Sequence, residues 1–498
     1  MTYIKVNLWG NEIGRLSWNS ATRRIYFMYN PDIKNGIPDI MPMLNPARIR
    51  NIHLPIYGDD RPLYQGLPPF IADSLPDAWG NTLFDKWVKE NKIPRNKVTP
   101  LYKLMVIGTR GMGALEYEPC AEDLANMRAI DIKSLYDMSL KILEDRDRVV
   151  LNTSEELTLQ ALLAVGTSAG GRQMKAIVAI NDETGEIRSG QSDGMEGFGY
   201  YILKFGDKSM PIAEIEAAYY NMAIAAGIDM EECRLLSVEG TNHFLTKRFD
   251  RRDGKKIFVQ TLAAINPEAS SYEDLIDTCR ELNISESEIE QIFIRMVFNV
   301  MANNTDDHNK NFSFLIDEFG NWRIAPAYDM TFIFNMDGTG PNLRRRLSIG
   351  GNTSDISKSD IIDFAQNNGI ADAEAIITRV AKAVMNFNEY AETNGVTQPW
   401  RGIIRKTLTD KLVSYGFIDK ESCAERQFKD KYGRLISDIT VSVNSKGLYE
   451  VSAMIDGNRH RRFVKPGMDL YSELMEKDIY NLYDDDLLRL SDMLFPLK

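Results

Sequence analysis

The chain has 498 residues, which is too long for one ordinary hydrophobic core, so two or three domains are expected. Its composition, 44% hydrophobic and 26% charged residues, is typical of a soluble globular protein. The net charge of −12 excludes a global basic footprint for nucleic acid, although it leaves room for a local basic patch.

Neither the cysteines nor the N-terminus indicates export. The N-terminus begins as a strand rather than as a signal peptide, and no apolar run reaches ~18 residues. The four cysteines are scattered without the CxxC spacing of a metal or redox site, as in reduced cytoplasmic proteins: Cys120, Cys233, Cys279 and Cys423. The sequence therefore predicts a cytoplasmic protein.

The first 120 residues predict strands followed by helices. Residues 2–30 alternate apolar and polar side chains, which indicates an antiparallel meander. A helix is expected from about Asp77, and its aromatic stripe predicts a buried face rather than a cofactor contact: Trp79, Leu83, Phe84 and Trp87. Residues 97–119 predict a helix and a glycine-rich strand, in which the glycines indicate a tight turn rather than a phosphate loop.

A second glycine-rich segment precedes a predicted strand at 176–180. Small residues there would let backbone N–H groups approach phosphates closely, and a plain glycine turn is the alternative: Thr167, Ser168, Ala169, Gly170 and Gly171.

A lysine lies in the next apolar strand. Lys204 falls within the predicted strand 199–205, where burial would be costly without a partner. A kinase uses such a lysine on the ATP phosphates and holds it with a helix glutamate. Glu216, in the predicted helix 213–226, is the expected partner. In the alternative, Lys204 lies at an edge with its ammonium in solvent.

Residues 241–252 predict a strand that runs into a polar connection. A hinge between two lobes would present backbone groups from Lys247 to Phe249 to an adenine. Phe249 would then pack on the base, and Asp250 would reach the ribose. A salt-bridged turn is the alternative.

The stretch from 296 to 330 carries the strongest chemical signal. Asp306 and Asn311 have the Asp-x-x-x-x-Asn spacing of a kinase catalytic loop, and Asp329 follows a predicted hairpin at the place of the second metal-binding acid. A solvated Asn/Asp-rich loop is the alternative, but an apolar helix before it and a hairpin after it favour the kinase interpretation.

The rest of the chain predicts mainly helices after residue 270, a long loop at 331–358, strands at 425–465 and a helical acidic tail at 466–498. The long loop carries Arg344, Arg345 and Arg346. It is interpreted as an activation or substrate-docking segment, with a disordered surface loop as the alternative.

In this order the motifs resemble one family, the HipA-type serine/threonine kinase toxins of bacterial toxin–antitoxin systems, over roughly residues 3–415. The segments that carry the resemblance are TSAGGRQMKA, YILKF, KRFDRRDG, NNTDDHNKNFSFL, APAYDM and LSIGG. The extension past about residue 415 does not match the family.

The resemblance implies roles for individual residues. Asp306 is expected to be the catalytic base, Asn311 and Asp329 the Mg²⁺ ligands, and Lys204 the ATP phosphate lysine supported by Glu216. Ser168 corresponds to a site at which family members phosphorylate and so inactivate themselves. The expected ATP-binding set is Thr167, Ser168, Ala169, Gly170, Lys204, Lys247, Arg248, Phe249, Asp250, His308 and Lys310; His308 and Lys310 are given structural or electrostatic roles only.

The resemblance also implies a fold and a biological role. An α+β, two-lobed protein-kinase-like fold is expected, with an N-terminal subdomain at 1–120, the rest of the N-lobe at 121–248, a helical C-lobe at 249–415 and an α/β extension at 416–498. The implied cofactors are ATP and Mg²⁺. The implied partners are a helix-turn-helix antitoxin, operator DNA through that antitoxin, and a protein substrate such as glutamyl-tRNA synthetase. A catalytically silent kinase fold and a small-molecule kinase are the alternatives.

Overall fold

The computed structural model describes residues 3–31, 38–44, 53–120, 131–144, 173–191 and 195–419, with parts of 428–468 and residues 493–495. The chain forms two compact units, Met1–Gly395 and Val396–Lys498. The expected phosphate segment at 167–170 and nearly all of the predicted acidic tail lie outside the described residues.

The first unit begins with a five-stranded antiparallel sheet in the order β4-β3-β2-β1-β5. Alternate residues of β1 and β3 are buried, as expected for a sheet with one face on the core. The predicted meander is therefore present. The strands are β1 (Ile4–Leu8), β2 (Asn11–Asn19), β3 (Arg24–Tyr29), β4 (Ile56–Tyr57) and β5 (Leu115–Glu118).

Four described α-helices follow β4 in the chain: α1 (Pro69–Ala72), α2 (Ala78–Glu90), α3 (Pro100–Ile107) and α4 (Ile132–Glu144). The predicted aromatic face of α2 is buried and packs with the second sheet. Trp79 also donates its indole N–H to the carbonyl of Lys175 at 3.0 Å. Helix α2 therefore packs on the strand that begins at Lys175 and is hydrogen-bonded to it.

The second sheet is antiparallel and has the order β7-β6-β8-β10-β9. Helix α5 (Ile212–Ala225) follows β8 and contacts β9 and β10. The predicted strand at 199–205 and the predicted helix at 213–226 are both confirmed within a residue. The strands are β6 (Lys175–Ile180), β7 (Ile187–Ser189), β8 (Gly199–Lys204), β9 (Cys233–Val238) and β10 (Thr241–Lys247).

The part of the first unit after β10 is mainly helical. It contains α6 (Leu262–Ile265), α7 (Tyr272–Glu281), α8 (Glu286–Met301), α9 (Lys358–Asn367), α10 (Ala373–Met385) and α11 (Phe387–Thr393). Helix α8 is almost wholly buried beyond its first turn and contacts α7 and α10. Its buried C-terminal end fixes the start of the loop that carries Asp306.

Short strands frame that loop. Strands β11 (Arg251–Arg252) and β12 (Lys255–Lys256) form a small hairpin. A three-stranded sheet is formed by β13 (Phe258–Thr261), β14 (Ser313–Ile316) and β15 (Trp322–Ile324), in that order. The hairpin predicted between Asn311 and Asp329 is confirmed as β14–β15. Residues 331–357 have a defined backbone with buried apolar side chains, so the alternative of a disordered surface loop is wrong.

The second unit contains α12 (Trp400–Ser414) and a four-stranded antiparallel sheet in the order β16-β17-β18-β19. The strands are β16 (Phe428–Lys429), β17 (Leu435–Val443), β18 (Tyr449–Ile455) and β19 (Asn458–Val464). The predicted return to strands after residue 425 is confirmed.

Candidate active site

Lys204 lies at the end of β8 and bonds two carboxylates. One is Glu216 on α5, and the other is Asp329, whose oxygen is 2.5 Å from the Lys204 ammonium. Burial alone would lower the pKa of Lys204, but the two carboxylates outweigh it and raise that pKa above its ordinary value. The alternative of a solvent-exposed Lys204 is therefore wrong, because its side chain is only 9% exposed.

The two carboxylates have different environments. The Glu216 side chain is 5% exposed, and burial raises its pKa while Lys204 opposes that rise. The Asp329 side chain is 41% exposed, and Lys204 holds its pKa well below the usual range. Glu216 is thus suited to holding the lysine, whereas Asp329 is ionised and open to a further ligand.

Sequence reasoning passed over a second lysine in this cluster. Lys175, at the start of β6, pairs directly with Lys204 across the sheet and is buried. Burial, and then the neighbouring ammonium, lower the pKa of Lys175 to about 8. The available signal was a charged residue directly before the apolar run 176–180.

Asp306 and Asp307 are adjacent but have opposite surroundings. Asp307 is buried and accepts bonds from the Tyr272 hydroxyl at 2.8 Å, the Arg345 guanidinium at 2.7 Å and the Arg346 backbone N–H at 2.9 Å. Asp306 has a side chain that is 43% exposed and meets the Arg346 guanidinium at 3.1 Å. Asp307 anchors the loop, and Asp306 presents a carboxylate at its surface.

Asn311 and Asp329 line one small cavity of about 10 Å³. The Asn311 amide nitrogen donates to the carbonyl of Asp306 at 2.9 Å, which leaves the amide oxygen available to a ligand. Mg²⁺ prefers oxygen ligands and takes one or two side chains together with phosphates. The donor set therefore fits Mg²⁺, although the described residues contain no group of three or more His, Cys, Asp or Glu side chains that could hold a metal by themselves.

The residue before Asp329 contacts the segment that the sequence interprets as a hinge. The ring of Tyr328 lies 5.7 Å from the ring of Phe249, and its hydroxyl donates to the carbonyl of Lys310 at 2.8 Å. Asp329 itself has a φ of +58°, a left-handed conformation that costs free energy in a non-glycine residue and often accompanies functional sites.

Two further residues of the loop, His308 and Lys310, bond to each other, and Lys310 also bonds to Asp77. The ammonium of Lys310 bonds Asp77 at 2.7 Å, at the start of α2, and the Nδ1 atom of His308 accepts the Lys310 backbone N–H at 3.2 Å. These contacts agree with structural or electrostatic roles. They also connect the start of α2 to the loop that carries Asp306.

The segment after β10 contains buried salt bridges around Asp250, as the alternative interpretation of this segment expected. Asp250 is 1% exposed and accepts bonds from Arg248 at 2.7 and 2.8 Å, from Arg251 at 3.0 Å and from the Gly113 backbone N–H at 2.7 Å. Its carboxylate is fully engaged, so the expected ribose contact of Asp250 does not fit this geometry. Lys247 is exposed and Phe249 is half-buried, so their side chains are open to a ligand, but the backbone N–H of Lys247 already donates to the carbonyl of Glu232 at 2.9 Å.

Comparison with known proteins identifies the family. A profile described as "HipA N-terminal domain" matches residues 4–118, and one described as "HipA-like C-terminal domain" matches residues 167–387. The chain belongs to the HipA family. The resemblance found in the sequence motifs is thus confirmed, and the matched ranges stop short of the second compact unit.

Two curated relatives carry kinase names. A Haemophilus influenzae protein named "Putative kinase" is 26% identical over 307 residues, covering 53% of this chain and 87% of the relative. A Sinorhizobium fredii protein named "Putative kinase Y4mE" is 24% identical over 220 residues, covering 41% of this chain and 50% of the relative.

A solved structure has the same fold. It is the Shewanella oneidensis HipA, solved with HipB and operator DNA; it has a TM-score of 0.55 at 14% identity and covers 83% of this chain and 96% of its own. The α+β, kinase-like fold expected from the sequence is confirmed. Among the described residues, no helix is long and apolar enough to cross a membrane.

Proposed function

We propose that this HipA-family chain is a protein kinase that transfers the γ-phosphoryl group of Mg²⁺-ATP to a serine or threonine hydroxyl. The observation that carries the proposal is the cluster of Lys204, Glu216 and Asp329, with Asn311 on the same cavity as Asp329. A buried lysine held by a helix glutamate, beside two metal-binding side chains, is the constellation that phosphoryl transfer requires.

Each residue has a role in the proposed reaction. The ammonium of Lys204 binds ATP phosphate oxygens, and Glu216 holds that ammonium in place. Asn311 and Asp329 would hold Mg²⁺, and the ion would supply neutralisation of phosphate charge. Asp306 accepts the proton of the attacking hydroxyl, because it is the loop aspartate with an exposed carboxylate.

We assign nucleotide recognition to the end of β10 and the segment that follows it. The backbone of Lys247 and the ring of Phe249 contact the adenine, and Lys175 adds a second ammonium near the phosphates. Thr167, Ser168, Ala169 and Gly170 form the phosphate loop in this proposal, on the strength of the family motif alone. Asp250 and Arg248 support the segment through their buried ion pair.

The proposed biological role is that of the toxin in a toxin–antitoxin pair. The partner is a helix-turn-helix antitoxin that binds operator DNA, and support comes from the Shewanella oneidensis HipA, which was solved with HipB and its operator. The net charge of −12 suits a basic partner. The proposed substrate is a translation protein such as glutamyl-tRNA synthetase, and phosphorylation of Ser168 would switch the kinase off because it adds charge beside the ATP phosphates.

The test is intact-protein mass after incubation with Mg²⁺-ATP, for the native chain and for Asp306→Asn. We expect one added phosphate in the native chain, mapped to Ser168, and none in Asp306→Asn or Ser168→Ala. Purified glutamyl-tRNA synthetase, added to the Ser168→Ala chain, should gain phosphate only when Asp306 is intact. Retained phosphotransfer by Asp306→Asn would contradict the assignment of the base.

Nucleotide calorimetry separates the alternatives. A chain that binds Mg²⁺-ATP but phosphorylates neither itself nor a protein would be a binding protein or a small-molecule kinase. A chain that does not bind Mg²⁺-ATP would contradict the proposed function altogether. Asp306→Asn should bind the nucleotide normally, because Asp306 contacts neither Lys204 nor Asp329 in the described residues.

A further inference from the structure

Two consecutive arginines face two consecutive aspartates at the candidate active site. Arg345 is 3% exposed and bonds Asp307, whereas Arg346 has a side chain that is 61% exposed and bonds Asp306. Arg345 and Arg346 come from the segment between Asp329 and α9, in which the proposed function assigns no catalytic or nucleotide-binding residue. The two pairs differ in burial, so they serve different purposes.

The position of Arg346 is set by groups other than its own side chain. Its backbone N–H donates to the buried Asp307 at 2.9 Å, the adjacent Arg345 is anchored on the same carboxylate, and the following Leu347 is buried. The chain is therefore fixed on both sides of Arg346. The contacts of Arg345, Arg346 and Leu347 thus place the Arg346 guanidinium beside Asp306.

The contact with Asp306 uses only one edge of the guanidinium. The Nε atom donates to Asp306 at 3.1 Å, and the two Nη groups have no hydrogen-bond partner within the described residues. An arginine presents five N–H donors in a planar fork that matches phosphate oxygens. The free Nη donors are thus available to a phosphoryl group that lies beside Asp306.

Stability does not account for this pair. Exposed ion pairs contribute roughly 0–1 kcal/mol because water screens them and two side chains must be ordered. The other cations nearby are committed elsewhere, since Lys310 bonds Asp77 and Arg345 bonds Asp307. Arg346 is the loop cation that combines exposure with direct contact to the proposed base.

We propose that Arg346 is a catalytic residue that binds the transferring phosphoryl group through its Nη donors while its Nε orients Asp306. The inference rests on the proposed kinase function. The substrate hydroxyl oxygen forms a bond to the γ-phosphorus, the bond from that phosphorus to the β–γ bridging oxygen breaks, and the hydroxyl proton passes to Asp306. Negative charge on the equatorial oxygens is neutralised by the guanidinium, so Arg346 acts most strongly in the transition state.

The experiment compares Arg346→Gln with Arg344→Gln, using autophosphorylation and phosphotransfer to a protein substrate. Arg344 is an exposed arginine of the same segment, so its variant loses the same charge two residues away. We expect Arg346→Gln to lower kcat about 100-fold with the KM for ATP changed less than threefold. Arg344→Gln should stay within threefold of the native chain, and Arg346→Lys should recover part of the loss.

A binding measurement gives a second readout that does not depend on turnover. Mg²⁺-ADP with aluminium fluoride imitates the phosphoryl group in transit, whereas Mg²⁺-ADP alone does not. Arg346→Gln should weaken binding of the fluoride complex at least tenfold and leave ADP binding unchanged. A loss of structure would weaken binding of both the fluoride complex and ADP. The ratio of the two dissociation constants therefore isolates the role of the guanidinium.

Three outcomes would overturn the inference. Equal kinetics for Arg346→Gln and Arg344→Gln in an active kinase would reduce Arg346 to a surface charge. A faster Arg346→Gln would make the pair an inhibitory latch over Asp306. A native chain that neither binds Mg²⁺-ATP nor transfers phosphate would remove the proposed function and this inference together, which distinguishes that failure from the first two.

Discussion

Replacing Glu216 by glutamine tests whether the buried ion pair holds the candidate active site together. The substitution keeps the shape of the side chain and one oxygen acceptor but removes its charge. Lys204 and Glu216 have side chains that are 9% and 5% exposed, so neither charge is well solvated in the folded chain. Lys204 would then keep one carboxylate, that of Asp329 at 2.5 Å.

The size of the effect follows from this geometry. Removing one partner of a buried ion pair costs about 3–5 kcal/mol, because the other charge stays buried without its counter-ion. Asp329 compensates in part, so we expect the lower end, about 3 kcal/mol. That loss corresponds to a change of roughly 100-fold in a local opening equilibrium.

Amide hydrogen exchange measures that equilibrium directly. In Glu216→Gln the slow amides of β8 and α5 should exchange about 100-fold faster, while those of the second unit are unchanged. Glu214→Gln is the matched control on the same helix, because Glu214 is partly exposed and accepts one bond, from Asn242 at 2.8 Å, that glutamine can still accept. Its effect should stay below about tenfold. If the two variants exchange alike, the Lys204–Glu216 pair does not stabilise the site.

Three other perturbations test the electrostatics of the fold. Asp250→Asn should lower the free energy of unfolding by about 3–5 kcal/mol, because the buried Arg248 and Arg251 lose their counter-ion. The two arginines outweigh burial and lower the pKa of Asp250, so the stability that its carboxylate contributes is lost below about pH 4. Urea titrations at pH 3 and pH 7 should show that loss in the native chain. The pKa of Lys175, about 8 when folded against about 10.4 when unfolded, should make stability rise with pH between 8 and 10, and Lys175→Met should abolish that rise in thermal melts. Arg295→Met should raise the melting temperature, because the Nε and Nη2 atoms of Arg295 are buried with no hydrogen-bond partner among the described residues, and methionine removes these unpaired polar atoms. A lower melting temperature would show that the adjacent cavity provides a hydrogen-bond partner for Arg295.

Local patterns in the sequence were sufficient for much of the site. The spacing of Asp306 and Asn311, the hairpin before Asp329 and the lysine in an apolar strand each depend on neighbours within a few residues. The pairing of Lys204 with Glu216 was also accessible, because a buried lysine needs a counter-ion and the next helix offered a glutamate. Such features are encoded in periodicity and short spacing, which a single sequence displays.

Long-range partners were not accessible in the same way. The ribose role expected for Asp250 failed because its carboxylate bonds the N–H of Gly113, 137 positions away, and two arginines that the sequence could not show to be buried. Lys175 was passed over because its neighbour Lys204 is 29 positions distant and meets it only through the pairing of β6 with β8. Burial and register decide these contacts, and neither follows from residue type alone.

The adjacent residues Asp306 and Asp307 show the same limit at the smallest scale. Their side chains are chemically alike in the sequence, yet one is exposed at 43% and the other is at 0%. Asp307 is drawn inward because Tyr272 from α7 and Arg345 from the segment after Asp329 converge on it. Asp306 directly precedes Asp307, and Arg346 directly follows Arg345, so the buried pair leaves the side chains of Asp306 and Arg346 exposed. The buried ion pair of Asp307 and Arg345 therefore places the exposed pair of Asp306 and Arg346, and both the stability of this loop and its proposed catalytic role depend on the Asp307 carboxylate.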